Sequence, residues 1–287
     1  MGPSAVAHPG GARLPAVARP CHDDRVPVLP GAEPFSCEGG DVAVLLCHGF
    51  TGCPQSLRPW AEHLAAEGLT VRVPRLPGHG TSWQELNLTR WPDWYAAVER
   101  ELLALAATHR AVVVGGRSMG GALALLLAQR HPGAVAGLAL VNPAVRLTDR
   151  RFAALPLARR LTPSLAGIGS DIRRQDVTEL AYDRTPLHAL ASTLRMYAEV
   201  ERDLPQVTQP LLLMRSAVDH VVPTSSPRLV LAKVSSTDVT DVVLHDSYHV
   251  ATLDNDAPVV FARTAAFARR VGAAPAPATT GSRGRST

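Results

Sequence analysis

Val112-Val-Val-Gly-Gly-Arg-Ser-Met-Gly-Gly-Ala122 is the stretch around which the rest of the chain falls into order. Ala111 to Val114 are small and apolar and are closed by glycines, which predicts a buried strand. From Met119 to Arg130 alanine, leucine and glutamine continue without a proline, which predicts a helix. Between them Gly116-Arg-Ser-Met-Gly120 forms a G-x-S-x-G turn. A serine at a sharp strand-to-helix corner takes a strained backbone conformation, and glycines on either side let strand and helix approach that closely. The helix then starts at the serine, so its unpaired N–H groups and positive dipole end face the place where negative charge would develop. The bare pattern is weak; the flanking strand, helix, Gly115 and Gly121 make it specific. The bland alternative is a glycine-rich turn without chemistry.

The 287 residues, 46% hydrophobic, suffice for one large core or two modest ones. Aromatic residues make up only 5%, so that core is aliphatic. Lys233 is the only lysine, and the net charge of +4 is small for this length. A nucleic-acid footprint would cluster arginines with interleaved aromatics, and no such cluster is present, so no nucleic-acid partner is expected. Cys21, Cys37, Cys47 and Cys53 include no C-x-x-C pair, which argues against a zinc or redox motif. Met1 to Pro20 has no continuous apolar core of a signal peptide, and no run of eighteen apolar residues exists. The expectation is a soluble, cytoplasmic protein without an integral membrane segment.

Residues 1–30 are rich in proline and glycine and read as a flexible leader, with a short edge strand near Arg25 to Leu29. Asp41 to Cys47 is apolar enough to be a strand covered on both faces, and it runs into His48-Gly-Phe-Thr-Gly52. A helix over Ser56 to Glu67, stopped by Gly68, and a strand over Leu69 to Val73 follow. Asp93 to Thr108 reads as a helix capped by Asp93, and Val135 to Val141 as a strand. Alternation then stops: Ala144 to Leu204 holds helix-like, arginine-rich pieces broken by prolines and glycines. It resumes with a strand over Pro210 to Arg215, a helix over Ser226 to Lys233, a strand over Asp241 to Leu244 and a helix over Val259 to Arg270. The tail from Gly272 lacks apolar content and is expected to be disordered. Alternating strands and helices imply an α/β fold with a mostly parallel sheet covered on both faces, whose ligands sit beyond the carboxyl ends of the strands. The serine turn, His48 to Gly52, Asn142, Asp219 and His249 all follow strands, so one sheet edge can gather them.

A serine hydroxyl is a poor nucleophile at neutral pH; it needs a base, and the base needs an acid to fix its tautomer. Downstream of Ser118, Asp219 follows one strand and His249 the next, in the order Ser, Asp, His. Asp246, three residues before His249, competes as the acid, and His220 and His245 compete as the base. His245 and His249 are four apart, a metal-ligand spacing on a helix, but this stretch is a strand end and a loop. An oxyanion needs two donors: the N–H of Met119 is one, and the Gly49-Phe50-Thr51 loop is the source of the other.

These segments resemble the α/β-hydrolase superfamily, and within it the small bacterial carboxylesterases related to monoacylglycerol lipases. The resemblance is carried by Leu45 to Gly52, Pro77 to Thr81, Trp91 to Trp94, Gly115 to Gly121, Val218 to Val222 and Ser247 to Asp254. It implies a domain over residues 31–271, with Ser118 as nucleophile, Asp219 as acid, His249 as base, and the N–H groups of Phe50 and Met119 as the oxyanion hole. It also implies a small helical cap formed by about residues 144–204, structural roles for His48 and His79, and no cofactor or metal. The expected activity is hydrolysis of small-molecule carboxylic esters of short to medium acyl length. A monoacylglycerol lipase or thioesterase with the same residues is the enzymatic alternative, and a non-catalytic ligand-binding homologue is the alternative of another class.

Overall fold

The computed structural model describes residues 26–167 and 169–273. The strands are β1 (Phe35–Cys37), β2 (Val42–Cys47), β3 (Thr70–Val73), β4 (Ala111–Arg117), β5 (Gly137–Val141), β6 (Ser164–Ala166), β7 (Arg184–Pro186), β8 (Leu211–Ser216) and β9 (Val239–Leu244). The helices are α1 (Arg58–Ala66), α2 (Trp83–Leu88), α3 (Trp91–Ala106), α4 (Met119–Arg130), α5 (Leu155–Leu161), α6 (Leu187–Arg202), α7 (Ser225–Lys233) and α8 (Ala257–Ala273). Seven strands form one sheet in the order β1-β3-β2-β4-β5-β8-β9. Within this sheet only β1 pairs antiparallel, and every other pairing is parallel.

Side chains alternate across the central strands, and the two sets enter two cores. Ala43, Leu45, Cys47, Val112 and Val114 pack with α3, α4 and α6, whereas Val42, Val44, Leu46 and Val113 pack with α1 and α8. Helix α4 is buried from Met119 to Gln129, which is why its sequence is apolar on every side. No helix among the described residues is long and apolar enough to cross a membrane.

Several expectations change. The edge strand expected at Arg25 to Leu29 is not formed over residues 26–29. The edge belongs to β1, whose partly exposed three residues carry too short a pattern to be read in sequence. Helix α3 begins at Trp91, ahead of Asp93; the Asp93 carboxylate accepts the N–H of Arg90 at 2.9 Å from inside the first turn. Helix α8 continues through Gly272 and Ala273, where the disordered tail was expected to begin. A Cβ on Gly272 would lie 2.4 Å from Val42 Cγ2, so the missing side chain lets the helix end close on β2. The rest of that tail and residues 1–25 of the leader lie outside the described residues.

Between β5 and β8 the chain forms α5, the β6–β7 ribbon and α6. This insertion is therefore not helical throughout. Leu165 and Ala166 of the ribbon are exposed, so it lacks the apolar run by which a buried strand is recognised.

Candidate active site

Ser118 sits between β4 and α4 with φ 56° and ψ −120°, in the left-handed half of the map that a serine rarely enters. Its main chain is bound on two sides. Its N–H donates to Val141 O at 3.1 Å, and its carbonyl accepts from Gly121, Ala122 and Ala144 at 3.0, 3.3 and 3.1 Å. A Cβ on Gly116 would lie 2.2 Å from Gly120 O, and one on Gly120 1.8 Å from Cys47 O. Both glycines of the motif are thus required by backbone approach, and the corner is as tight as the motif implies.

His249, in the loop after β9, meets Asp219, in the loop after β8, through Nδ1 and Oδ2 at 2.8 Å. Asp219 Oδ1 accepts from the N–H groups of Val221 and Val222 at 2.9 and 2.8 Å. Burial alone would raise the Asp219 carboxyl, but the His249 hydrogen bond and charge, joined by the two N–H donors, outweigh it and hold the group below its ordinary value. Asp246, the competing acid, is exposed and pairs with Arg173 at 3.1 Å. His220 binds Asp171, and His245 contributes its carbonyl toward Arg173.

Ser118, Asp219, His249, Gly49 and Phe50 line one cavity of about 630 Å³, within the range of small-molecule sites. Among the described residues, no hydrogen bond joins the Ser118 and His249 side chains, whereas His249 binds Asp219. The insertion supplies much of the remaining wall, including Leu147, Phe152, Leu155, Leu187 and Leu190. Met119 follows Ser118 as the first residue of α4; its side chain lies in the core, within 4.0 Å of Thr193 Oγ1. Phe50 packs against Trp94 and His79, with ring centroids 6.1 and 6.4 Å away.

Arg117, Glu179 and Asp171 escaped the sequence reading, which placed Asn142 at the same sheet edge without giving it a role. Arg117 and Glu179 form an ion pair beside Ser118 whose side chains are 3% and 8% exposed. Asn142, with φ 44°, donates through Nδ2 to the carbonyl of His249 at 3.0 Å and to Ser216 Oγ at 2.9 Å. Asp171 bonds the main chain of His249 at 3.1 Å. Asn142 carried a faint signal as a polar residue ending a buried strand; a lone aspartate or glutamate in an irregular stretch carries none.

The family described as serine aminopeptidase, S33, matches residues 40–256. The chain belongs to this α/β-hydrolase family. It is 42% identical over 244 residues to the thermostable monoacylglycerol lipase of Bacillus sp. (strain H-257), spanning 85% of this chain and 97% of that one. It is 26% identical to the carboxylesterase of Bacillus subtilis (strain 168), spanning 79% and 92%. The structure described for the metagenome-derived lipolytic enzymes LipS and LipT superposes with a TM-score of 0.83 at 41% identity, covering 85% of this chain and all 100% of that one. The chain is a hydrolase of the lipase and esterase family.

Proposed function

We propose that the protein hydrolyses carboxylic esters of short to medium acyl length through Ser118, His249 and Asp219. The observation that carries this reading is the His249–Asp219 hydrogen bond on the wall of the cavity that Ser118 also lines. In this reading His249 Nε2 takes the proton of Ser118 Oγ as that oxygen attacks the ester carbonyl. The N–H groups of Phe50 and Met119 receive the oxyanion. The intermediate collapses, His249 returns the proton to the leaving alcohol, and the acyl group stays on Ser118. Water, deprotonated by His249, then releases the acid and restores the serine. Asp219 keeps the His249 proton on Nδ1, so that Nε2 is the basic nitrogen. Residues 144–204 act as the cap that shapes the acyl pocket.

The family description names a peptidase, but the pairing of the carboxylates that line the cavity argues against a substrate with a free ammonium. Its carboxylates among the described residues are all engaged: Asp219 with His249, Asp149 with Arg151, Asp171 with His220 and Glu179 with Arg117. Among the described residues, none lining the cavity is left unpaired for the ammonium of a peptide N-terminus. A second reading, a monoacylglycerol as the natural ester, is supported by the 42% identical lipase.

The test is hydrolysis of p-nitrophenyl esters from acetate to palmitate and of monoacylglycerols, with Ser118→Ala alongside. The expected result is activity peaking at short or middle chains and lost by ~1,000-fold or more in the variant, with an unchanged melting temperature. A preference for monoacylglycerols selects the second reading. Ester turnover unaffected by Ser118→Ala would end the serine mechanism. A folded wild type without activity on esters or thioesters, and unlabelled by a fluorophosphonate, would be a binding protein.

A further inference from the structure

Asp171 lies in the irregular stretch between β6 and β7, far in sequence from both loops it touches. Its Oδ2 accepts from the N–H of His249 at 3.1 Å and from the N–H of His220 at 3.2 Å. Oδ1 meets His220 Nδ1 at 2.8 Å, and its carbonyl accepts from the N–H of Val250 at 3.1 Å. One mostly buried side chain, 14% exposed, thus ties the loop that carries Asp219 to the loop that carries His249. Carboxylate acceptors make N–H hydrogen bonds stronger than neutral ones do.

His249 is consequently held at three points by three parts of the chain. Asp171 takes its N–H, Asn142 donates to its carbonyl, and Asp219 binds its ring. Only the first of these comes from the insertion. The same segment is fastened independently a few residues on: the N–H groups of Arg173 and Arg174 donate to the buried Asp254 carboxylate at 2.7 and 3.1 Å. The segment therefore stays attached without the Asp171 side chain, and the Asp171 carbonyl keeps the Val250 N–H, while the His249 N–H loses its acceptor. A base displaced by about 1 Å from its reacting partner loses on the order of 100-fold in rate.

We propose that Asp171 is a positioning residue for the catalytic base: by holding the His249 main chain it makes alignment of the His249–Asp219 pair depend on a seated insertion. This rests on the roles given above to Ser118, Asp219 and His249. Asp171 acts through His249 and not on the substrate, so its loss lowers turnover and leaves substrate binding nearly intact.

The experiment compares wild type, Asp171→Ala and Asp171→Asn in ester hydrolysis, with active sites counted by fluorophosphonate titration. It also follows the downfield proton resonance of the His249 Nδ1–H, identified by its absence from His249→Gln. The expected result for Asp171→Ala is kcat lower by ~10–100-fold with KM within ~3-fold, an unchanged melting temperature, and an Nδ1–H resonance broadened by exchange. Asp171→Asn keeps an oxygen that accepts from both N–H groups and restores most of the turnover and the resonance. A kcat for Asp171→Ala within ~2-fold of wild type, a loss confined to KM, or an Asn variant no better than Ala would overturn the proposal. Should the wild type hydrolyse no ester, the serine mechanism fails by itself, and the resonance decides this point: unchanged in Asp171→Ala, it refutes the positioning role; broadened there and kept in Asp171→Asn, it supports it.

Discussion

Ser118 and Asp219 occupy opposite kinds of environment. Ser118 keeps an unfavourable positive φ because four main-chain hydrogen bonds and two obligatory close approaches over-determine it. Such a conformation costs on the order of 1–3 kcal/mol and persists only where the surroundings impose it. Asp219 is buried yet fully satisfied, with one oxygen on His249 and the other on two N–H groups. Asp219→Asn is nearly isosteric but can offer its amide N–H to Nδ1, which stabilises the wrong imidazole tautomer. We expect it to lower kcat by ~10,000-fold, the scale known for this substitution in serine triads. Asp246→Asn, at an exposed ion pair, should stay within about twofold. Steady-state kinetics on titrated enzyme ranks the two, and the reverse ranking would move the acid to Asp246.

At the scale of elements, the loop after β2 is held to the loop after β3 by a buried histidine. His48 Nε2 accepts from the N–H of Leu76 at 3.2 Å, and Nδ1 lies 3.0 Å from Gly49 O, so the neutral ring with its proton on Nδ1 satisfies both. A second proton would set a donor against the Leu76 N–H. Burial pushes His48 down to about 4, and it lowers His79, whose ring lies 5.0 Å away, well below its ordinary value. The unfolded chain takes up these protons near pH 6.5, whereas folded His48 resists until about pH 4, so acidification through that window favours unfolding. For His48 the loss amounts to about 3 kcal/mol at pH 4. Urea unfolding between pH 7 and pH 4.5 should show this slope, reduced in His48→Gln, which cannot titrate; an equal slope in both proteins would refute the assignment. The elements themselves were legible where they are buried, because apolar periodicity is a local property. Strand β1 and the β6–β7 ribbon were not, since each is short and half-exposed and exists by pairing.

At the scale of the molecule, Arg117 and Glu179 join the sheet to the insertion through charges with almost no access to water. Arg117 also donates to Ser56 Oγ at 3.4 Å, but its Nε has no hydrogen-bond partner among the described residues. Removing one partner strands the other charge. Arg117→Met and Glu179→Leu should each destabilise by about 3–5 kcal/mol, and the double variant by far less than their sum. Chemical denaturation of the four proteins reads the coupling; additive losses would show that the pair does not act as a unit.

The parallel sheet, the tight turn at Ser118 and the succession of Ser118, Asp219 and His249 behind successive strands were already legible in the chain. These follow from strand and helix periodicity, from glycines forced by close backbone contact, and from chain order, each visible within a few residues. Folding alone settled which acid meets His249, that Asn142 binds the carbonyl and Asp171 the N–H of that same residue, and that Arg117 faces Glu179. Those contacts join residues 30 to 107 positions apart, and an isolated polar side chain in a loop leaves no periodic trace of the partner that folding brings to it.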